Sequence, residues 1–131
     1  MANSHLVSLD GLENLEHAGQ LWIDANSALG DIEALASLEV VDGGVTIWST
    51  GLTSLSGLGQ LVHVGSLNIQ YNELLGNLRG LESLSEVDYY LTIYENPQLP
   101  TCEAEGLRDR IGTENIGEVV IQYNDDSGVC E

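Results

Sequence analysis

The side chains with chemistry to offer in this sequence are 21 carboxylates, 3 histidines, 2 cysteines and a small set of rings, 2 Trp and 5 Tyr with no Phe. A hydrolytic or acid–base enzyme needs two such groups converging on one reacting atom, and a nucleophile needs a base beside it. Here Ser, His and Asp are dispersed, no G-x-S-x-G elbow occurs, and no pairing of catalytic type is apparent. We expect no enzyme and no cofactor. Metal binding fares little better. His17 and His63 stand 46 residues apart, and the elements derived below put them two strands apart, about 10 Å, too far for one Zn²⁺ to bind both at about 2.1 Å. They are read as solvated turn histidines. The tail Asn124, Asp125, Asp126, Ser127, Gly128 has the composition of a calcium loop without its alternating spacing, so an acidic turn is expected and no metal site is assigned.

Charge narrows the partners. With 3 Lys and Arg residues against 21 Asp and Glu the formal net charge is -18. Arg79, Arg108 and Arg110 are the only side-chain cations besides histidine, too few for phosphate contacts, so nucleic acid is excluded and an anionic membrane surface disfavoured. The acidity serves solubility or a cationic partner. Met1 opens a segment with no basic region followed by an apolar run, so neither a signal peptide nor a membrane span is expected. The start is read as that of a mature domain separated from a longer exported protein.

The elements that position these groups come from periodicity. Apolar residues recur every third position in four runs: Leu6, Leu9, Leu12, Leu15, Ala18; Leu29, Ile32, Leu35, Leu38, Val41; Leu52, Leu55, Leu58, Leu61, Val64; Leu75, Leu78, Leu81, Leu84, Val87. A spacing of three is not a helical stripe. After each run the period becomes two, in Leu21/Ile23, Val45/Ile47, Leu67/Ile69, Leu91/Ile93 and then Val119/Ile121, which means strand. Successive pairs are 24, 22, 24 and 28 residues apart. Three residues after each pair stands Asn26, Asn72, Asn96 or Asn124, with Thr50 as the exception. A stacked amide there would partner backbone groups of neighbouring turns. A 46-residue period repeats His17 as His63 and Asp42 as Asp88, alternating a six-residue with a seven-residue link before the strand.

In this pattern the sequence resembles the leucine-rich-repeat proteins, and more narrowly the receptor L-domain-like branch. The match is carried by LxIxxNxxL at Leu67, Ile69, Asn72 and Leu75, and by SLxGLxxLxxV at Ser54, Leu55, Gly57, Leu58, Leu61 and Val64. The resemblance implies a mainly β, right-handed repeat solenoid of about five coils forming a short parallel sheet. We expect one domain over 1–131, with repeat coils in 1–99 and a C-terminal cap with the last strand in 100–131. In that cap Glu103 and Glu105 precede Arg108 and Arg110, as in a helix that respects its dipole, expected to lie across the end of the stack. Cys102 and Cys130 bracket it. We expect a disulfide, with a reduced thiol pair as the alternative, because two cysteines without a nearby histidine make a poor zinc site. A disulfide places the protein in extracellular, cell-surface or periplasmic surroundings.

On this reading the residues between and beyond the buried pairs form columns on the concave face: Trp22, Thr46, Asn68, Thr92 and Val120; then Asp24, Trp48, Gln70, Tyr94 and Gln122. Tyr90 falls in the preceding column, and Tyr71, Glu95 and Tyr123 on the outer edge. Every aromatic except Tyr89 falls in these columns, and Tyr89 adjoins them. Rings gathered on one strip point to ligand binding. The footprint, about 400 Å² for five strands exposing five residues each, suits a peptide or glycan, whereas a standard protein partner covers about 800 Å² per side. We expect a monomeric recognition module, Asp24 and Glu95 selecting cationic or hydroxyl-rich ligands. A structural or adhesive spacer in a larger exported protein is the second reading. An engineered scaffold is the third, and Thr50 and the uneven steps count against it.

Overall fold

The computed structural model describes residues 5–130. Residues 1–4, on which the reading of the chain start rests, and residue 131 lie outside the described residues. The described chain is mostly β, a six-stranded parallel sheet that does not close, with one α-helix. The strands are β1 (His17–Ala18), β2 (Leu21–Asp24), β3 (Val40–Trp48), β4 (His63–Gln70), β5 (Glu86–Tyr94) and β6 (Ile116–Gln122), and the helix is α1 (Thr101–Ile111). β1 and β2 both lie along β3, His17 opposite Val40 and Leu21 opposite Val45, so they are two parts of one edge strand. From there β3, β4, β5 and β6 follow in chain order.

Parallel neighbours need a return segment, and the runs spaced by three supply it. Leu35 N–H donates to Ile32 C=O and Leu38 N–H to Leu35 C=O; Leu58 bonds Leu55 and Leu61 bonds Leu58 in the same way. Each three-residue turn brings the next apolar side chain inward. Leu29, Ile32, Leu35, Leu38, Leu52, Leu55, Leu58 and Leu61 are fully buried, as are Val45, Ile47, Leu67, Ile69, Leu91 and Ile93 from the strands. Glycine serves three of these turns: Gly11, Gly57 and Gly80 have φ of 107°, 116° and 110°, and a Cβ on Gly57 or Gly80 would strike the carbonyl of the run before it. In the second run Ala34 occupies the equivalent place and the turn becomes a short 3₁₀ helix, Glu33–Leu35.

Three expectations need correction. First, Ala18, Val41, Val64 and Val87 belong to strands, not to the ends of the runs. The seven-residue links are absorbed as irregularities in β3 and β5, where three steps from Val41 to Gly44 or from Val87 to Tyr90 match two in β4, Val64 to Ser66. Second, His17 and His63 are strand residues, each bonded to the aspartate of the neighbouring irregularity: His17 Nε2 to Asp42 at 2.8 Å, His63 Nε2 to Asp88 at 3.0 Å. The extra residue in the longer links is what brings an aspartate within reach. Third, α1 is a return segment as well as a cover for the last apolar run. It takes the place of an apolar run between β5 and β6, with Ala104, Leu107 and Ile111 buried, Arg110 donating to Leu81 C=O at 2.9 Å and Glu103 accepting from Leu78 N–H. Its N-terminus has Pro100 at the cap position and no side-chain cap.

The asparagines form a ladder. Asn72 Oδ1 accepts from Thr50 N–H and Oγ1 while its Nδ2 donates to Ile47 C=O; Asn96 Nδ2 donates to Ile69 C=O and Asn124 Nδ2 to Ile93 C=O. Asn96 Oδ1 accepts from Asn72 N–H, and Asn124 Oδ1 from Asn96 N–H. Asn26 is buried at the equivalent place. Thr50 has a single hydroxyl proton, given to Asn72, where an amide would have two. Thr50→Asn is therefore expected to stabilise the protein by about 1 kcal/mol, one added hydrogen bond, read as a shift of the urea midpoint at unchanged slope.

Cys102 and Cys130 are joined by a disulfide. The tail reaches it by pairing with the start of α1: Asp125 N–H donates to Leu99 C=O and Thr101 N–H to Asp125 C=O. A disulfide points to an oxidising, non-cytosolic setting. Among the described residues no helix is long and apolar enough to cross a membrane.

Candidate functional site

The buried strand pairs leave the residues beside them on the opposite face of the sheet. The register sets Trp22, Thr46, Asn68, Thr92 and Val120 side by side, and likewise Asp24, Trp48, Gln70, Tyr94 and Gln122. Tyr90 lies between Ser66 and Glu118. One residue further on, Ala25, Ser49, Tyr71, Glu95 and Tyr123 all have φ between 53° and 58°. That conformation is unfavourable for residues with a Cβ. It lets the chain leave the strand and send the next residue inward to the ladder while the hydrogen bonds of the sheet continue for one more step, Tyr71 N–H to Tyr94 C=O and Glu95 N–H to Gln122 C=O.

Four rings use the two adjacent columns alternately. Trp48 and Tyr94 occupy the last strand position, Tyr71 and Tyr123 the turn position. The result is a continuous row: Trp48 to Tyr71 at 5.0 Å with planes 35° apart, Tyr71 to Tyr94 at 5.8 Å and 69°, Tyr94 to Tyr123 at 5.2 Å and 85°. One tilted and two edge-to-face contacts stabilise one another, so the row is held in shape without a ligand. Tyr94 is half-buried between its neighbours. That burial pushes its phenol above the usual tyrosine value, and Tyr71, Glu95 and Tyr123 add to the shift.

Beside the row lies a cleft of about 390 Å³ lined by Trp48, Ser49, Tyr71, Glu73, Glu95 and Pro97. Sequence reasoning reached Trp48, Tyr71 and Glu95 but missed Glu73 and Pro97, which follow the ladder position and belong to no column. Their sign in the sequence was only the fixed offset from Asn72 and Asn96. Asp24 stands opposite Trp48 in register, which places a carboxylate on the other side of the same indole. Trp22 lies apart from the row. It is 58% exposed and lines an apolar cleft with Leu6, Leu9 and Leu12 where the core thins at the N-terminal side.

Two other polar clusters lie on the surface. His63, Glu86 and Asp88 bring one imidazole and two carboxylates together, with donor atoms within 4.8 Å of one another. The register explains it, since Glu86 pairs with His63 across β4 and β5. This donor set could hold a divalent ion only after contraction, and the imidazole nitrogen is already bonded to Asp88. In the tail, Asp125 Oδ1 accepts from Ser127 N–H and Oγ, and Asp126 Oδ1 from Thr101 Oγ1 at 2.6 Å. Those carboxylates are used in making a turn. No family model, curated protein or solved structure matches the chain.

Proposed function

We propose that the chain is a leucine-rich-repeat solenoid of the receptor L-domain-like kind. In this reading it acts outside the cytosol, in extracellular, cell-surface or periplasmic surroundings, as a non-catalytic recognition module. Its ligand is a peptide, glycan or protein segment laid along the sheet, and it works as a monomer without metal or cofactor. The observation that carries this is the row of four rings in contact across four neighbouring strands. Trp48, Tyr71 and Tyr123 are 40%, 40% and 63% exposed. Since the leucine core is complete without them, the row stands as surface offered to a partner. Asp24, Glu73 and Glu95 border it, favouring a cationic or hydroxyl-rich ligand over an anionic one.

The test is a glycan and peptide array probed with the wild type, Trp48→Ala and Tyr94→Ala. A ligand retained by the wild type is expected to bind each variant at least tenfold more weakly, the scale of a buried aromatic anchor. Unchanged retention by both would refute the recognition role. A second reading, a structural spacer within a larger protein, is favoured by the apolar cleft at the N-terminal side, where Val7, Leu12 and Trp22 are 67%, 38% and 58% exposed. Under it a neighbouring domain covers that end, and Leu12→Glu disrupts the docking while leaving the aromatic row as it is.

A further inference from the structure

Building on the recognition reading, we propose that the cleft between Trp48, Tyr71, Glu73 and Glu95 receives the ammonium group of a lysine side chain carried by an extended cationic peptide. The ring geometry is the first argument. A glycan chain stacked along successive rings needs coplanar faces, whereas adjacent rings here are turned by 35°, 69° and 85°. Such rings make walls, and a cation needs only one face within about 6 Å of its charge.

Charge is the second argument. Among the described residues neither Glu73 nor Glu95 has an ion-pair partner, while Arg108 is engaged with Asp109 and Arg110 with Leu81 C=O. Arg79 lines a separate cleft with Pro100 and Glu103, and the sequence has no lysine of its own, so a cation for this cleft must come from outside. Two uncompensated carboxylates beside an indole and a phenol form a box in which an ammonium gains both ion pairing and cation–π attraction. The net charge of -18 steers cations towards the whole molecule and repels an acidic polysaccharide. In an extended peptide, side chains on one side recur about every 6.8 Å. One lysine can therefore enter the cleft while its same-side neighbour lies on Tyr94 or Tyr123.

Attraction to so acidic a protein could be unspecific, and the experiment must separate the two. Hexalysine is titrated calorimetrically into the wild type, Tyr71→Leu, the pair Glu73→Gln with Glu95→Gln, and the pair Glu33→Gln with Glu39→Gln, which removes equal charge from exposed positions outside the cleft. Circular dichroism verifies that each variant is folded. The proposal expects about fivefold weaker binding for Tyr71→Leu, which changes no charge, at least tenfold for the cleft pair, less than twofold for the remote pair, and none for fully acetylated hexalysine. Equal losses from both charge pairs with Tyr71→Leu unaffected would overturn it in favour of diffuse attraction. If a neutral array ligand is held through Trp48 while hexalysine fails to bind, the cation site is wrong and the recognition reading stands. If neither binds, both fall.

Discussion

Alanine at position 72 is expected to lower the unfolding free energy by about 3 to 5 kcal/mol. Asn72 is fully buried, and its amide serves groups on both sides: on one, Thr50 N–H and Oγ1 donate to it and it donates to Ile47 C=O; on the other it donates to Asn96 Oδ1, and within its own turn to Gln70 C=O. Removing it strips partners from several groups at once, and each buried group left unsatisfied costs about 1 to 3 kcal/mol. Relaxation recovers some of this, which keeps the total below the simple sum. Asn124 makes comparable bonds at the end of the ladder but is only partly buried, so water can substitute and Asn124→Ala should cost about 1 to 2 kcal/mol. Urea unfolding of both variants tests the ladder. Equal losses would mean that burial does not govern its strength.

Opening the disulfide should cost about as much, roughly 3 to 4 kcal/mol in the chain-entropy model for a closed loop of this length. The bond joins positions 28 residues apart, and the loop between them includes α1 and β6. The expected result for Cys102→Ser with Cys130→Ser, or for the wild type under reductant, is a lower denaturation midpoint. Hydrogen exchange should rise first in α1 and the tail, with the middle strands protected longest. A midpoint insensitive to reductant would show that the hydrogen bonds of Leu99 and Thr101 with Asp125 hold the tail by themselves. Mass measurement after alkylation confirms the bond, and with it the inference of an oxidising setting.

Much of the sheet is legible in the sequence. The alternation at Leu21/Ile23 through Val119/Ile121 predicts strands, and the register then pairs those residues in the expected columns. What was less legible were the strand starts. Val41, Val64 and Val87 satisfy both the spacing of three and the inward side of a strand, so periodicity alone could not divide run from strand. The helix is legible in the order of Glu103, Glu105, Arg108 and Arg110, but its service as the return segment between β5 and β6 is not, since a helix that closes a stack and one that replaces a return segment have the same amphipathic pattern.

By itself the sequence determined which side chains turn inward, because that depends on local backbone periods of three and two, and each is written in the spacing of leucine, valine and isoleucine. It likewise determined the acidity and the gathering of rings on one face. Only the tertiary structure decided which groups meet. The aspartates reach His17 and His63 because an irregularity displaces them. The rings touch in a zigzag because the residue after each strand takes a positive φ. Glu73 and Pro97 join the cleft because the turn beyond Asn72 and Asn96 folds back beside the row. These are contacts between segments more than 20 residues apart, set by how one turn of chain packs on the next, and no local spacing encodes them.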